Sequence, residues 1–88
     1  YEAGGAITTG DSNTLIGGLA GDALTTGTDN VAIGKDALTS DTLGSKTVAI
    51  GKNTLEAQNF TTATDANNVA IGDSPGQALT TVVNNTLF

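Results

Sequence analysis

The chain has no cysteine, histidine, methionine or tryptophan, a single proline, and only three basic residues, Lys35, Lys46 and Lys52. Each absence removes a class of explanation. Without cysteine there is neither a disulfide framework nor a cysteine-based zinc site to stabilise a small fold. Without histidine or cysteine no nucleophile–base constellation assembles, so neither catalysis nor a cofactor is expected. Tyr1, Phe60 and Phe88 are the only aromatics, and alanine is the commonest residue in a hydrophobic content of 38%. Nine acidic side chains leave a net charge of −6, which repels phosphate backbones and anionic lipid headgroups, so nucleic acid is not an expected partner. No run approaches the roughly 20 apolar residues of a membrane span, and membrane insertion is not expected.

Ordering 88 residues costs roughly 1–2 kcal/mol of backbone entropy per residue, and a chain this short buries a modest fraction of its surface. Something beyond a conventional core must supply the difference, either stacking of repeats or a partner chain.

A repeat is present. The phrase reads Asn13-Thr14-Leu15-Ile16-Gly17, Asn30-Val31-Ala32-Ile33-Gly34, Thr47-Val48-Ala49-Ile50-Gly51 and Asn68-Val69-Ala70-Ile71-Gly72, with the glycines at intervals of 17, 17 and 21 residues. A further copy starts at Asn85-Thr86-Leu87-Phe88. The unit is thus 17 residues with one insertion of four, and the whole of residues 1–88 forms a single array. Its coils run 1–12 (partial), 13–29, 30–46, 47–67 with the insertion, 68–84, and 85–88 (partial). The second half of the unit has two forms. Ala6-Ile7-Thr8-Thr9, Ala23-Leu24-Thr25-Thr26 and Ala78-Leu79-Thr80-Thr81 represent one, and Lys35-Asp36-Ala37-Leu38 and Lys52-Asn53-Thr54-Leu55 the other, set three residues closer to the glycine.

Seventeen residues are too few for a helical hairpin repeat but suit one coil of a β-solenoid. Val, Ile and Thr favour strands, and Gly, Asn and Asp mark corners. The expected fold is all-β, a parallel β-solenoid of about five coils. At about 4.8 Å per coil this gives a rod segment about 24 Å long. The turn glycines Gly17, Gly34, Gly51 and Gly72 are expected at positive φ. Asn at the first position is expected to form a ladder of paired side-chain amides. Side chains alternate along a strand, so Val31, Val48 and Val69 share a face with Ile16, Ile33, Ile50 and Ile71, assigned here to the core. The other face carries Leu15, Ala32, Ala49, Ala70 and Leu87, and is apolar too. A strand apolar on both sides needs cover on both sides, so this second face is expected at an oligomer interface, most simply a parallel homotrimer.

The phrase resembles the head repeats of trimeric autotransporter adhesins, in which Val-Ala-Ile-Gly recurs and three chains form a left-handed parallel β-roll. It also resembles the Asn-Thr-Ala-Ile-Gly arrays of phage tail-fibre-like proteins, whose unit is similar in length. The copies cover essentially the whole chain, and the phrase encodes architecture. The unit is longer than is typical of adhesin heads, and neck and stalk signatures are absent. The resemblance implies a fibre segment at a cell surface, in the extracellular space or on a virion.

The remaining motifs carry less. Gly17-Gly18-Leu19-Ala20-Gly21-Asp22 has one residue too many for a calcium-binding nonapeptide and reads as a corner, so no metal is expected. The adjacent pairs Thr8-Thr9, Thr25-Thr26, Thr61-Thr62 and Thr80-Thr81 split between strand faces, unlike a flat ice-binding array. The pairs Asp36 and Asp41, or Asp65 and Asp73, read as charged corners that keep the surface soluble rather than as glycosidase carboxylates. The insertion around Phe60, Thr61, Thr62 and Asp65 is a candidate contact loop for a cell-surface glycan or receptor, or a bulge that packs Phe60 against a neighbouring chain. Asn59 and Asn84 match the acceptor pattern for N-glycosylation.

The end residues fit the same register, Tyr1 at the sixth position of a unit and Phe88 at the fourth, and there is no initiator Met. A longer array, or copies stacked end to end, is therefore expected. Three readings follow: a structural segment of a fibre, a glycan- or receptor-binding adhesin module, and a filament subunit that polymerises head to tail.

Overall fold

The computed structural model describes residues 2–76 and 78–88; the register position of Tyr1 lies outside them. Among these residues there is no helix. Seven short strands occur, β1 (Thr14–Ile16), β2 (Val31–Ile33), β3 (Gly44–Ser45), β4 (Val48–Ile50), β5 (Thr64–Asp65), β6 (Val69–Ile71) and β7 (Thr86–Leu87). Every pairing between them is parallel. The main sheet runs β1-β2-β4-β6-β7, and β3 pairs β5 in a second, two-stranded sheet. The fold is a β-solenoid of about four complete turns, because five stacked strands enclose four intervals. The expectation of about five coils counted the partial coils at either end. The segment measures 30 × 26 × 18 Å, so it is about as wide as it is long.

Parallel register puts like residues over one another. Leu15 sits on Ala32, Ala32 on Ala49, Ala49 on Ala70, and Ala70 on Leu87. Outside the strands the same one-coil step continues, as in the bonds from Gly21 N–H to Ala37 O at 2.9 Å and from Leu38 N–H to Thr54 O at 2.9 Å. Buried backbone groups must be paired, and here the coil above or below supplies the partner.

The two faces of the main sheet are inverted relative to the sequence-based assignment. Ala32, Ala49 and Ala70 are fully buried, and Leu15 and Leu87 pack against the same apolar cluster. That column lines the interior. Val31, Val48, Val69, Ile33 and Ile50 are only half-buried, while Ile16 and Ile71 are exposed, so the Val/Ile column faces outward. The reason lies in the neighbours that share each face. Alternation places Asn30 and Ala32 on one side, and Asn30 is fully buried because its side chain is committed inside the coil. Its Nδ2 donates to Gly44 O at 2.9 Å across its own coil, and its Oδ1 accepts Thr47 N–H of the next at 3.0 Å. Asn13 does the same with Gly27 O and Asn30 N–H, and Asn68 with Val82 O and Asn85 N–H. The ladder is therefore side chain to backbone; among the described residues one contact between asparagine amides accompanies it, from Asn85 Nδ2 to Asn68 Oδ1 at 3.2 Å.

The opposite wall explains the two forms of the half-repeat. Gly4, Gly21, Leu38, Leu55 and Gly76 occupy one column, all at positive φ. Where glycine stands, an apolar residue three positions later (Ile7, Leu24, Leu79) packs into the cluster. Where Leu38 and Leu55 stand, they fill the space themselves and are fully buried. A Cβ on Gly21 would lie 2.7 Å from Leu15 Cδ2, and one on Gly76 would lie 2.6 Å from Leu87 Cδ1, so leucine in the strand goes with glycine in this wall. A left-handed backbone costs leucine roughly 1–2 kcal/mol, and full burial returns roughly 1.5–3 kcal/mol, so burial offsets the strain.

The turn glycines take φ of 118° at Gly17, 127° at Gly34, 124° at Gly51 and 135° at Gly72, as expected. Space is short as well. A Cβ on Gly34 would lie 2.6 Å from Gly51 O and 2.7 Å from Gly51 C, which are rigid backbone of the next coil. Gly34→Ala is expected to lower stability by roughly 2–4 kcal/mol, measured as a shift in the urea midpoint followed by circular dichroism; an unchanged midpoint would contradict this packing.

Candidate functional site

Two features stand out from the regular coil: the outward Val/Ile face with its charged flanks, and the insertion in the third coil. The face is a stripe two residues wide, Val31 and Ile33 on β2, Val48 and Ile50 on β4, and Val69 and Ile71 on β6, extended by Ile16 on β1. One flank, just before the strands, carries Ser12, Asp29, Lys46, Asn67 and Asn84, all exposed and all at positive φ. The other, just after the turn glycines, carries Lys35, Lys52 and Asp73, all exposed. Charged side chains edge an apolar stripe without crossing it.

Three of the four extra residues of the insertion fall between Phe60 and Thr64, and the fourth between Asp65 and Asn68. Leu43 N–H donates to Phe60 O at the normal step of one coil, and the pairing then resumes at Gly44 with Thr64. Thr61, Thr62 and Ala63 between them are exposed, and so is Asp65. Phe60 is only 5% exposed and packs within its own chain, which corrects the reading of it as a plug for a neighbouring chain. Lys46 Nζ reaches Asp65 Oδ2 at 2.9 Å across the coil boundary. The hydrogen bond to Asp65, and then its charge, raise the Lys46 ammonium above its ordinary value of 10.5. Any stabilisation from this exposed pair is present below pH 10.5 and lost as pH rises through the raised value.

Beneath the loop lies a buried polar cluster that the sequence reading did not find. Asp41 is fully buried, which overturns its assignment to a solvated corner. Its Oδ1 accepts Phe60 N–H at 2.9 Å and Gly44 N–H at 3.2 Å, and its Oδ2 accepts Gln58 Nε2 at 2.7 Å. Gln58 Nε2 also donates to Thr47 Oγ1 at 3.0 Å, and Gln58 Oε1 accepts Asn68 Nδ2 at 2.8 Å. Thr47 stands where the other coils have asparagine, so the third coil lacks the amide that ties its start to its end. Gln58, one coil above Asp41, bridges the gap between Thr47 and Asn68. The signal was available: Asp41 and Gln58 occupy the register of Ile7, Leu24 and Leu79, and they turn polar in the two coils whose leucine has moved upstream.

The two glycosylation candidates separate. Asn84 is exposed, whereas Asn59 is half-buried and its Oδ1 accepts Thr42 Oγ1–H at 3.2 Å. Among the described residues no group of three or more His, Cys, Asp or Glu is placed to hold a metal ion. Among the described residues no helix is long and apolar enough to cross a membrane. Comparison with protein-family models, curated proteins and solved structures finds no match to this chain.

Removing Gln58 leaves the Asp41 carboxylate, the Thr47 hydroxyl and the Asn68 amide each short of a partner. Gln58→Ala is expected to cost roughly 2–4 kcal/mol, while Thr62→Ala, on the exposed loop, should stay within about 0.5 kcal/mol. Chemical denaturation of the two variants side by side checks the ranking, and equal losses would show that the loop carries the stability instead.

Proposed function

We propose that this chain is a rigid repeat segment of an extracellular or virion fibre, one that associates with further copies of itself. One observation carries the reading: the strands of the main sheet are apolar on both faces, and the chain's own coils cover only the face that bears Ala32, Ala49 and Ala70. The expected interface therefore moves to the Val/Ile face, and a parallel homotrimer remains its simplest closed form. The rest of the architecture fits a mechanical role. Coil-to-coil hydrogen bonds run along the stack, the asparagine ladder clamps each coil to the next, and Asp41 and Gln58 carry the tie across the one irregular coil. The resemblance of the Val-Ala-Ile-Gly phrase to adhesin-head and tail-fibre arrays points the same way.

A second reading has its own support. Thr61, Thr62 and Ala63 project from an otherwise regular stack while Phe60 and the Asp41–Gln58 cluster hold their base, an arrangement suited to presenting a polar loop to a glycan or receptor. Replacement of the loop by a regular coil would spare folding and abolish such binding.

The two faces give a direct test of the first reading. Ile33→Arg, on the outer face, is expected to reduce the mass measured by light scattering to a single chain while circular dichroism stays unchanged. Ala49→Arg, on the inner face, is expected to abolish the folded signal altogether, since a charge would enter a methyl-lined interior. A single-chain mass for the unaltered protein at all concentrations would overturn the association.

A further inference from the structure

The flanks of the Val/Ile face specify how a second copy is seated. We infer that the face is covered by a parallel copy of this chain offset by one coil, so that Asp29 of one copy meets Lys52 of the next and Lys46 meets Asp73. The inference rests on the proposed self-association and adds its register.

In a parallel ring every contact is heterologous: the flank before the strands of one copy faces the flank after the turn glycines of its neighbour. The backbone ladder fixes the order along each flank. Lys46 N–H donates to Thr28 O and Asn84 N–H to Ala66 O on the first side; Asn53 N–H donates to Lys35 O and Ser74 N–H to Lys52 O on the second. Read upward, the first flank is Ser12, Asp29, Lys46, Asn67, Asn84, and the second is Gly18, Lys35, Lys52, Asp73. At equal height Asp29 faces Lys35, but Lys46 faces Lys52, one attraction against one repulsion. With the second flank lowered by one coil, Asp29 faces Lys52, Lys46, which already holds Asp65 in its own chain, faces Asp73, and Ser12 faces Lys35, so no like charges of the two flanks meet. Strands tilted so that they descend by one coil spacing from the first flank to the second would give this offset in a closed ring as well as in an open array. The offset also brings a carboxylate to Lys52, which is stacked beside Lys35 on the neighbouring coil and shares its sign.

The chain has no native cysteine, so an engineered bridge reports the register directly. Asp29 and Lys52 stand at opposite ends of the strands, roughly 20 Å apart within one chain at the usual rise per residue, whereas a disulfide needs Cα atoms within about 7 Å. Under mild oxidation Asp29→Cys with Lys52→Cys is expected to give reducible chain-to-chain links on a denaturing gel, and Asp29→Cys with Lys35→Cys to give few. The charges provide an independent readout. Lys52→Asp alone should weaken association about five-fold, more at low salt, and adding Asp29→Lys should restore it. Both substitutions install residues that the same columns already carry, at Asp73 and at Lys46, so the coil is expected to fold. Efficient linking through positions 29 and 35 in a chain that still associates would overturn the offset alone. A single-chain mass at every concentration would overturn the offset and the association together.

Discussion

The asparagine at the first position of every coil but the third is the contact on which the rest of the structure depends. Its amide donates across the coil to a carbonyl 14 residues on, and its carbonyl accepts the N–H of the equivalent residue 17 residues on. One side chain thus closes its own coil and attaches the next. A neutral hydrogen bond contributes about 1 kcal/mol net, but leaving such a buried amide unpaired costs more. The ladder therefore penalises any shift in register. It also fixes which face of the strand points inward, because alternation carries the residue two positions on to the same side.

That dependence explains what was legible in the sequence and what was not. The 17-residue period, the all-parallel stacking and the positive φ of Gly17, Gly34, Gly51 and Gly72 all follow from the recurrent phrase, since they need only the repeat and the rules of strand geometry. Ranking the two faces by hydrophobicity put Val and Ile inside and failed. Where Leu38 and Leu55 fill the opposite wall, a narrow coil leaves room for only a small inward side chain on the strand, and the buried asparagine had already claimed that side. The physical rule that won was satisfaction of a polar group, which outweighed the extra methylenes of isoleucine at the surface.

The third coil shows the same constraint under stress. Thr47 replaces the asparagine, and the following corner is four residues longer, so the usual tie has neither its donor nor its usual acceptor. Gln58 and Asp41 supply a longer bridge, reaching Thr47 on one side and Asn68 on the other. A buried carboxylate without a cation is tolerable because three donors surround it, two of them backbone N–H groups. Asp41 and Gln58 were missed as a pair because their significance appears only when the two forms of the half-repeat are aligned: leucine moves upstream to positions 38 and 55, and polar residues take the vacated register.

An outward stripe of Val and Ile follows from this economy. The interior holds one or two leucine-sized side chains and little more at each level, so a chain this short gains less from its own core than a larger globular domain does. The Val and Ile side chains of the strands lie on a surface that a repeating partner would match at every level, because a second stack of the same coils has the same spacing between its ridges. An unrelated globular partner would meet that spacing at one or two levels; a copy of the chain meets it along the entire face. On the proposed reading, association resolves the balance between the covered inner face and the apolar outer one, and the charges at the two flanks would distinguish one register of that association from another.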